Sequence, residues 1–399
     1  MFIFNIIMEK GVLIAFSEIG LRSKNVRKQM IKLLVKNILN GLKWKKIDIN
    51  EIKILWDRII IIANNNLEIA KIISKIPGVR YAAPIYLIKT SNLEEIIEEI
   101  SNETYLKVSD KKFKVETKRR YKELELNSMQ ISSLIGKKIL EKCLEKNINT
   151  KVDLKNPDIL VEVEIDKEYS LYYFERFEGY GGYPIGAQTP LVSLFSGGTD
   201  SCVATWLMMN RGCKIYPIFI DQSPFMGCCN IDRAIKVFQA LRDYVLYPDM
   251  ELAIVKVGKI MEKIIKNSIP KNICLHCKRT MYKIAEKYSE KVGAKGIVTG
   301  ESVGQVASQT IDNLYVISQS INLPIYRPLA GMSKEMIHEF AKKIGIYDIA
   351  AIDIGYCDIL PEHPTTKGKI NEIIEEEKKM DLDKEIEEVF QQITYYKAP

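Results

Sequence analysis

Two stretches of the chain carry residue types that could do chemistry. In LVSLFSGGTDSCV (191–203) an apolar run breaks into Ser196, Gly197, Gly198, Asp200 and Ser201 just where a helical pattern begins. Glycines lack side chains, so backbone N–H groups can turn toward an anion and let it come close. The helix that follows aims its positive dipole end at the same spot, and the serines add hydroxyl donors. A carboxylate repels phosphate, so Asp200 makes sense there with a Mg²⁺ between the two. The plainer reading is a tight turn with Asp200 and Ser201 capping the helix. The second stretch, NICLHCKR, sets Cys274 and Cys277 in C-x-x-C spacing. That pair can hold a metal, form a redox disulfide or carry sulfur.

The elements that must position these residues follow from periodicity and punctuation. At 399 residues the chain is too long for one ordinary core, so two or three domains are expected. Residues 11–17 read as a strand, 23–40 as a helix with Ser23 as N-cap, 45–49 and 52–63 as strands, 67–75 as a helix and 79–89 as a strand. That βαββαβ order is ferredoxin-like. A second α+β unit follows: helices at 92–101 and 128–146, and strands at 112–118, 158–165 and 169–176. GYGGYPIG (179–186) reads as a hinge. Beyond it, apolar runs at 191–195, 215–220, 252–257 and 296–299 alternate with helical stretches, the pattern of a doubly wound parallel sheet. Residues 371–390 read as one acidic amphipathic helix.

Composition narrows the class. Hydrophobic residues make up 47% and charged residues 27%, as in ordinary soluble proteins. The apolar start is interrupted by Glu9 and Lys10 and reads as a strand, not a signal peptide. No run of about 20 uncharged apolar residues occurs, so no membrane partner is expected and the location reads as cytoplasmic. The eight cysteines are then thiols, ligands or catalysts. Residues 1–190 hold 32 Lys/Arg against 25 Asp/Glu, and residues 191–399 hold 26 against 26. The net charge of +7 therefore falls in the first half, as in a polyanion-binding half joined to a neutral catalytic one.

SGGTDS after an apolar strand resembles the PP-loop of ATP pyrophosphatases, which cleave ATP between its α and β phosphates; no Walker A string occurs. With GIVTGESVGQVASQTIDNL (296–314) and IYRPLAGMSKEMI (325–337), nearly the whole chain resembles the tRNA 4-thiouridine synthetase (tRNA sulfurtransferase) family. The resemblance implies a ferredoxin-like domain at 1–88, a THUMP RNA-binding domain at 89–178 and, after the hinge, a PP-loop domain at 187–399. It implies that ATP adenylates O4 of uridine 8 of tRNA and that sulfur then displaces AMP. The family also has a link to thiamine biosynthesis. Leu194, Phe195, Phe219 and Ile220 match positions that cradle the nucleotide, Lys278 matches a phosphate-binding basic residue, and Gly300 and Gln309 match the remaining contacts. Arg22, Lys24, Lys114, Lys118, Arg119 and Arg120 are candidates for RNA backbone contact. A 2-thiolation enzyme, or a non-catalytic RNA-binding protein switched by ATP, is the alternative. A homodimer is left open.

Cys357, in GYCDILPEHPTTKG, matches the family cysteine of sulfur transfer. Many relatives deliver sulfur from an appended rhodanese domain, for which 399 residues leave no room. The donor is then inorganic sulfide or a separate persulfide carrier. With Cys274 and Cys277, Cys357 makes three thiolates. Structural zinc wants four ligands, and His276 is badly placed as the fourth. A [4Fe–4S] cluster on three cysteines leaves one iron open for sulfide and is the favoured reading; a catalytic disulfide or persulfide comes next. Cys228 and Cys229 are a strand-end pair or a source of a fourth ligand. Cys143, Cys202 and Cys213 read as core.

Overall fold

The computed structural model describes residues 8–90, 92–227, 230–352, 355 and 357–397. It divides into two compact units, one of Met1–Leu21, Lys45–Lys75 and Val79–Gly181, the other of Arg22–Trp44, Ile76–Gly78 and Gly182–Pro399. Neither contains a helix long and apolar enough to cross a membrane, among the described residues.

The first unit holds strands β1 (Met8–Ala15), β2 (Glu51–Ile54), β3 (Arg58–Ile62), β4 (Tyr81–Ile88), β5 (Lys112–Arg119), β6 (Lys151–Val152), β7 (Ile159–Ile165), β8 (Ser170–Tyr173) and β9 (Phe177–Glu178). They form one sheet in the order β2-β3-β1-β4-β8-β7-β5-β6, with β9 on β4. The ferredoxin-like and second α+β segments thus share a sheet, joined where β4 meets β8 through Tyr86↔Tyr172, Leu87↔Leu171 and Ile88↔Ser170. The rings of Tyr86 and Tyr172 stack there at 5.0 Å, an aromatic cross-strand pair that fixes the register. Helices α2 (Asn66–Ile73), α3 (Leu93–Lys107) and α4 (Ser128–Glu145) complete the unit. In α4, Ile131, Ile135 and Ile139 recur every four residues and bury one face on Phe113, Val161 and Val163. Asn127 and Gln130 form the capping box that starts it.

The second unit holds α1 (Lys24–Trp44) and strands β10 (Tyr183–Leu194), β11 (Arg211–Asp221), β12 (Leu252–Lys256), β13 (Ile297–Val298), β14 (Ile325–Tyr326) and β15 (Thr394–Tyr396). Its sheet runs β14-β13-β10-β11-β12-β15, parallel except for β15. One face is covered by α5 (Thr199–Asn210), α6 (Asn230–Tyr244) and α10 (Lys334–Lys343), the other by α7 (Gly258–Asn267), α8 (Ile273–Val292) and α13 (Asp383–Gln391). Helices α9 (Ile311–Ser318), α11 (Tyr347–Ala350) and α12 (Ile370–Met380) flank them. This is the doubly wound α/β layer.

Four sequence expectations change. Residues 45–49 form no strand, and 52–63 is a hairpin: Leu55 N–H donates to Arg58 O at 2.9 Å, and the exposed Trp56 and Asp57 turn the chain between β2 and β3. The second half of the 179–186 hinge is the start of β10, where Tyr183 pairs with Arg211. The acidic C-terminal helix is two helices, α12 and α13, because Asp381 takes a left-handed conformation (φ +44°). Most consequential, α1 belongs to the second unit: Asn37 Nδ2 donates to Ile185 O at 3.0 Å, and a Cβ on Gly41 would meet Leu246 at 2.5 Å. Between Arg22 and Trp44 lie seven Lys/Arg and no Asp/Glu. The positive excess of the chain's first half therefore folds with the nucleotide-type sheet.

In the first unit Arg58 and Glu164, each 3% exposed, form an ion pair that Arg120 and Asp57 extend. Removing one member of a buried pair strands the other charge. Glu164→Ala should cost about 3–5 kcal/mol, and Arg58→Met with Glu164→Leu should recover part of that. Denaturant midpoints of the two variants check it; equal losses would show that the pair's charge is not what matters.

Candidate active site

The glycine-rich loop lies at the carboxyl end of β10, where open parallel sheets bind ligands. Gly197 has φ +75°, and a Cβ there would sit 2.4 Å from Ala234 Cα, so α6 packs directly on the loop. Gly198 is the N-cap of α5 and offers no side-chain cap, which leaves first-turn N–H groups open to an anion. The two serines hold the loop's shape: Ser196 N–H and Oγ–H donate to Ser201 Oγ (3.2 and 3.1 Å), Ser201 Oγ donates to Gly198 O (3.1 Å), and Gly198 N–H donates to Ser196 Oγ (3.3 Å).

Asp200 is half-buried, and both its oxygens have partners. Lys334 Nζ donates to Oδ1 at 2.6 Å and to Oδ2 at 2.9 Å, and Gln305 Nε2 donates to Oδ2 at 3.0 Å. Lys334 opens α10 behind the Ser333 N-cap. Sequence reasoning missed it, although the Ser-Lys-Glu string at a helix start was the available signal. Gly300 lies on the loop from the other side: a Cβ would meet Asp200 C and Ser201 N at 2.6 Å. Gln309 shapes the adjoining turn by accepting from Ser302 N–H at 3.1 Å. Phe195 and Phe219, each 1% exposed, lie in the core, as does Ile220 at 8%; Leu194 is half-buried. Any nucleotide contact from these four comes from strand-end backbone or partial surface.

Next to Gly300, Glu301 is buried among four donors. Lys278 Nζ reaches its Oε1 at 2.8 Å; Tyr282 OH (2.5 Å), Thr299 Oγ1 (3.0 Å) and Arg327 Nε (2.8 Å) reach Oε2. Burial alone would raise its pKa, but Lys278, Tyr282 and Arg327 outweigh it and hold the carboxyl at about 2. Lys278 thus faces a carboxylate one residue beyond the loop-contacting glycine.

The thiols lie on the next layer. Cys274 and Cys277 occupy the first two turns of α8, and Cys357 lies close enough that its charge would raise the pKa of both. Burial, with the neighbouring sulfurs, pushes Cys277 up to about 12, against the opposing effects of Lys278 and of Gln222, whose Nε2 donates to Sγ at 2.8 Å. Cys274 and Cys357 are raised mainly by burial. Burial thus favours the neutral thiol at all three. Among the described residues no three His, Cys, Asp or Glu side chains converge as a metal-holding group. Cys228 and Cys229 lie outside the described residues. Cys143, Cys202 and Cys213 are buried in the core.

Two carboxylates anchor α8. Glu376 of α12 accepts from Asn272 Nδ2 (2.7 Å) and Ile269 N–H (2.8 Å) and meets His276 Nε2 at 3.1 Å. Arg279 grips Glu377 at 2.7 and 2.9 Å. His276 is thus turned into this network, away from any ligand role, and burial lowers its pKa despite Glu376.

Several basic candidates have internal work. Arg119 Nη1 donates to Leu124 O and Leu126 O, both at 2.8 Å, and pins the loop before α4. Arg120 is paired with Glu164 and Asp57, Lys118 with Glu162 at 3.4 Å, and Lys114 with Glu116 at 2.5 Å. Arg22 contacts Tyr183, and Lys24 is exposed.

A parallel sheet with an open helix start, a glycine loop and a paired Asp–Lys at its carboxyl edge defines a nucleotide-binding α/β enzyme. Comparison with known proteins narrows this. Residues 186–382 match the family described as Thiamine biosynthesis protein (ThiI), residues 90–172 the THUMP domain and residues 11–83 the ThiI ferredoxin-like domain. Proteins named "Probable tRNA sulfurtransferase" are 35% identical in Methanocaldococcus jannaschii over 93% of this chain and 97% of theirs, and 35% identical in Thermoanaerobacter pseudethanolicus over 97% and 99%. A solved structure titled "Crystal structure of a 4-thiouridine synthetase - RNA complex with bound ATP" superposes with a TM-score of 0.87 at 30% identity, covering 97% of this chain and 99% of that one. The chain belongs to the ThiI family of tRNA sulfurtransferases.

Because the folded pKa of Glu301 lies below its ordinary 4.5, the carboxylate stabilises the fold above about pH 4.5, and that contribution is lost as pH falls toward 2. The shift is worth about 3 kcal/mol. Glu301→Gln should lower stability by that order at pH 7 and flatten the acid limb. Denaturant titrations at pH 7 and pH 3.5 test this; an unchanged acid limb would remove Glu301 as its source.

Proposed function

We propose that this chain adenylates O4 of uridine 8 of tRNA and that a sulfur nucleophile then displaces AMP to give 4-thiouridine. The observation that carries the reading is one line of contacts. Gly300 lies on the Asp200–Ser201 backbone, Glu301 beside it holds Lys278, and Lys278 directly follows Cys277. Phosphate chemistry and thiol chemistry are thus adjacent.

In this reading the triphosphate lies on the open N–H groups at the start of α5. The uridine O4 attacks the α phosphorus and pyrophosphate leaves. Lys334 is placed to meet negative charge as it grows on the phosphates, and Asp200 orients that lysine. Asp200 is also the donor type that Mg²⁺ takes, and a bound ion would neutralise the leaving pyrophosphate. Cys274, Cys277 and Cys357 handle the sulfur. Three soft sulfurs fit a [4Fe–4S] cluster in donor chemistry, although their side chains are not gathered into a ligand set. When bound, such a cluster supplies an open iron for inorganic sulfide. Without one, Lys278 is the neighbouring cation that favours the thiolates of Cys274 and Cys277, against the burial that raises them. An external persulfide carrier is the other donor.

Asp200→Ala and Lys334→Ala should each lower tRNA-dependent pyrophosphate release by at least 100-fold, whereas Cys274→Ala, Cys277→Ala and Cys357→Ala should spare it and abolish 4-thiouridine. Pyrophosphate assays and nucleoside mapping decide this. Near-normal release from Asp200→Ala, or a thiolated base elsewhere on the tRNA, would refute the assignment. If a cluster is present, iron and activity should vanish together in each cysteine variant purified without oxygen.

A further inference from the structure

The opposite edge of the second unit's sheet carries a pocket that the adenylation chemistry does not use. It lies where β10, β11 and β14 meet the chain before α1, has a volume of about 390 Å³, and is lined by Arg22, Tyr183, Thr189, Arg211, Lys295 and Tyr326 among others. Such a volume accommodates one nucleotide. Lys295 precedes β13, and Gly300 follows it, so the pocket is roughly 17 Å from the glycine loop at about 3.3 Å per residue.

Its chemistry is that of a phosphate and base reader. Arg22 and Arg211 flank the Tyr183 ring at 4.9 and 5.0 Å, which holds both guanidinium groups at the pocket wall. Arg22 and Lys295 have no carboxylate partner among the described residues, and both are exposed. Tyr326, 40% exposed, presents a ring on which a base can stack. The surroundings add charge: α1 starts two residues after Arg22, and its Lys24, Lys28, Lys32 and Lys36 recur every four residues, all exposed. Consecutive members are about 6 Å apart along one flank of the helix. A basic stripe ending in an aromatic, arginine-walled pocket is the electrostatic footprint of an RNA strand.

We propose that this pocket is an RNA subsite on the second unit, in which Arg22 and Lys295 each hold a backbone phosphate, Tyr326 stacks the adjoining base, and the lysine flank of α1 guides the strand. The proposal rests on the tRNA-thiolating reading for its substrate. It adds that the nucleotide-binding unit grips the RNA itself, remote from the reacting uridine.

The test uses the full chain and an unmodified tRNA transcript. Lys295→Gln with Arg22→Gln should weaken tRNA binding about tenfold and flatten the log–log salt slope by about 1.5, two phosphate contacts' worth. Tyr326→Ala should weaken binding at least fivefold and leave the slope alone, because stacking carries no charge. In turnover the losses should fall on the KM for tRNA and not on kcat. Unchanged affinity and slope in the double variant would overturn the proposal. So would titration with AMP that depends on Lys295 while tRNA affinity does not, which would give the pocket to a free nucleotide. Binding is read without catalysis, so a chain that forms no thiouridine but shows these binding losses sinks the activity reading and leaves the subsite standing.

Discussion

The candidate active site depends on backbone meeting backbone. Gly197 admits α6, and Gly300 admits the turn after β13, each at a distance where any Cβ would overlap main-chain atoms. Three segments separated by up to a hundred residues thereby converge on the first turn of α5. Side chains can adjust to a neighbour by changing rotamer, but a main-chain contact cannot. The position of every other group follows: Lys334 reaches Asp200 because α10 packs on α5, and Lys278 reaches Glu301 because Gly300 fixes where Glu301 begins.

Charge then does what apolar packing cannot do beside the glycine loop. Glu301 is surrounded by Lys278, Arg327 and Tyr282, one residue beyond the glycine that lies on the loop. Buried and neutralised, it projects little negative field while fixing two cations in place. Glu376 and Glu377 perform the same office on the far side of α8, seating the thiol-bearing helix against α12. The helix carrying Cys274 and Cys277 is held along its length by carboxylates contributed from elsewhere.

Much of this was legible in the sequence. The SGGTDS string after an apolar strand located the glycine loop at the carboxyl edge of the sheet, and alternating apolar runs announced the parallel sheet. The buried status of Cys143, Cys202 and Cys213 followed from their periodic surroundings. What could not be read were contacts between segments with no local signature. Lys334 looks like any helix-start lysine until α10 is laid against α5. Arg119 and Arg120 read alike as a basic run, and only the fold shows that one donates to backbone carbonyls and the other pairs with Glu164. The 52–63 run divides because Trp56 and Asp57 turn the chain between β2 and β3. The charge balance was counted correctly along the chain, but α1 crosses from one unit to the other, which sequence order cannot reveal.

That crossing has a consequence for how the protein is made. Helix α1 leaves the ribosome some 140 residues ahead of β10, the strand that covers it. Until then Asn37 lacks the Ile185 carbonyl to which it donates in the folded unit. The first unit's nine-stranded sheet is synthesised in the interval and can close around a gap left in its own sequence. Synthesis therefore passes through a species with one finished unit and one waiting amphipathic helix, which is where a holdase chaperone or a pause in elongation would matter most.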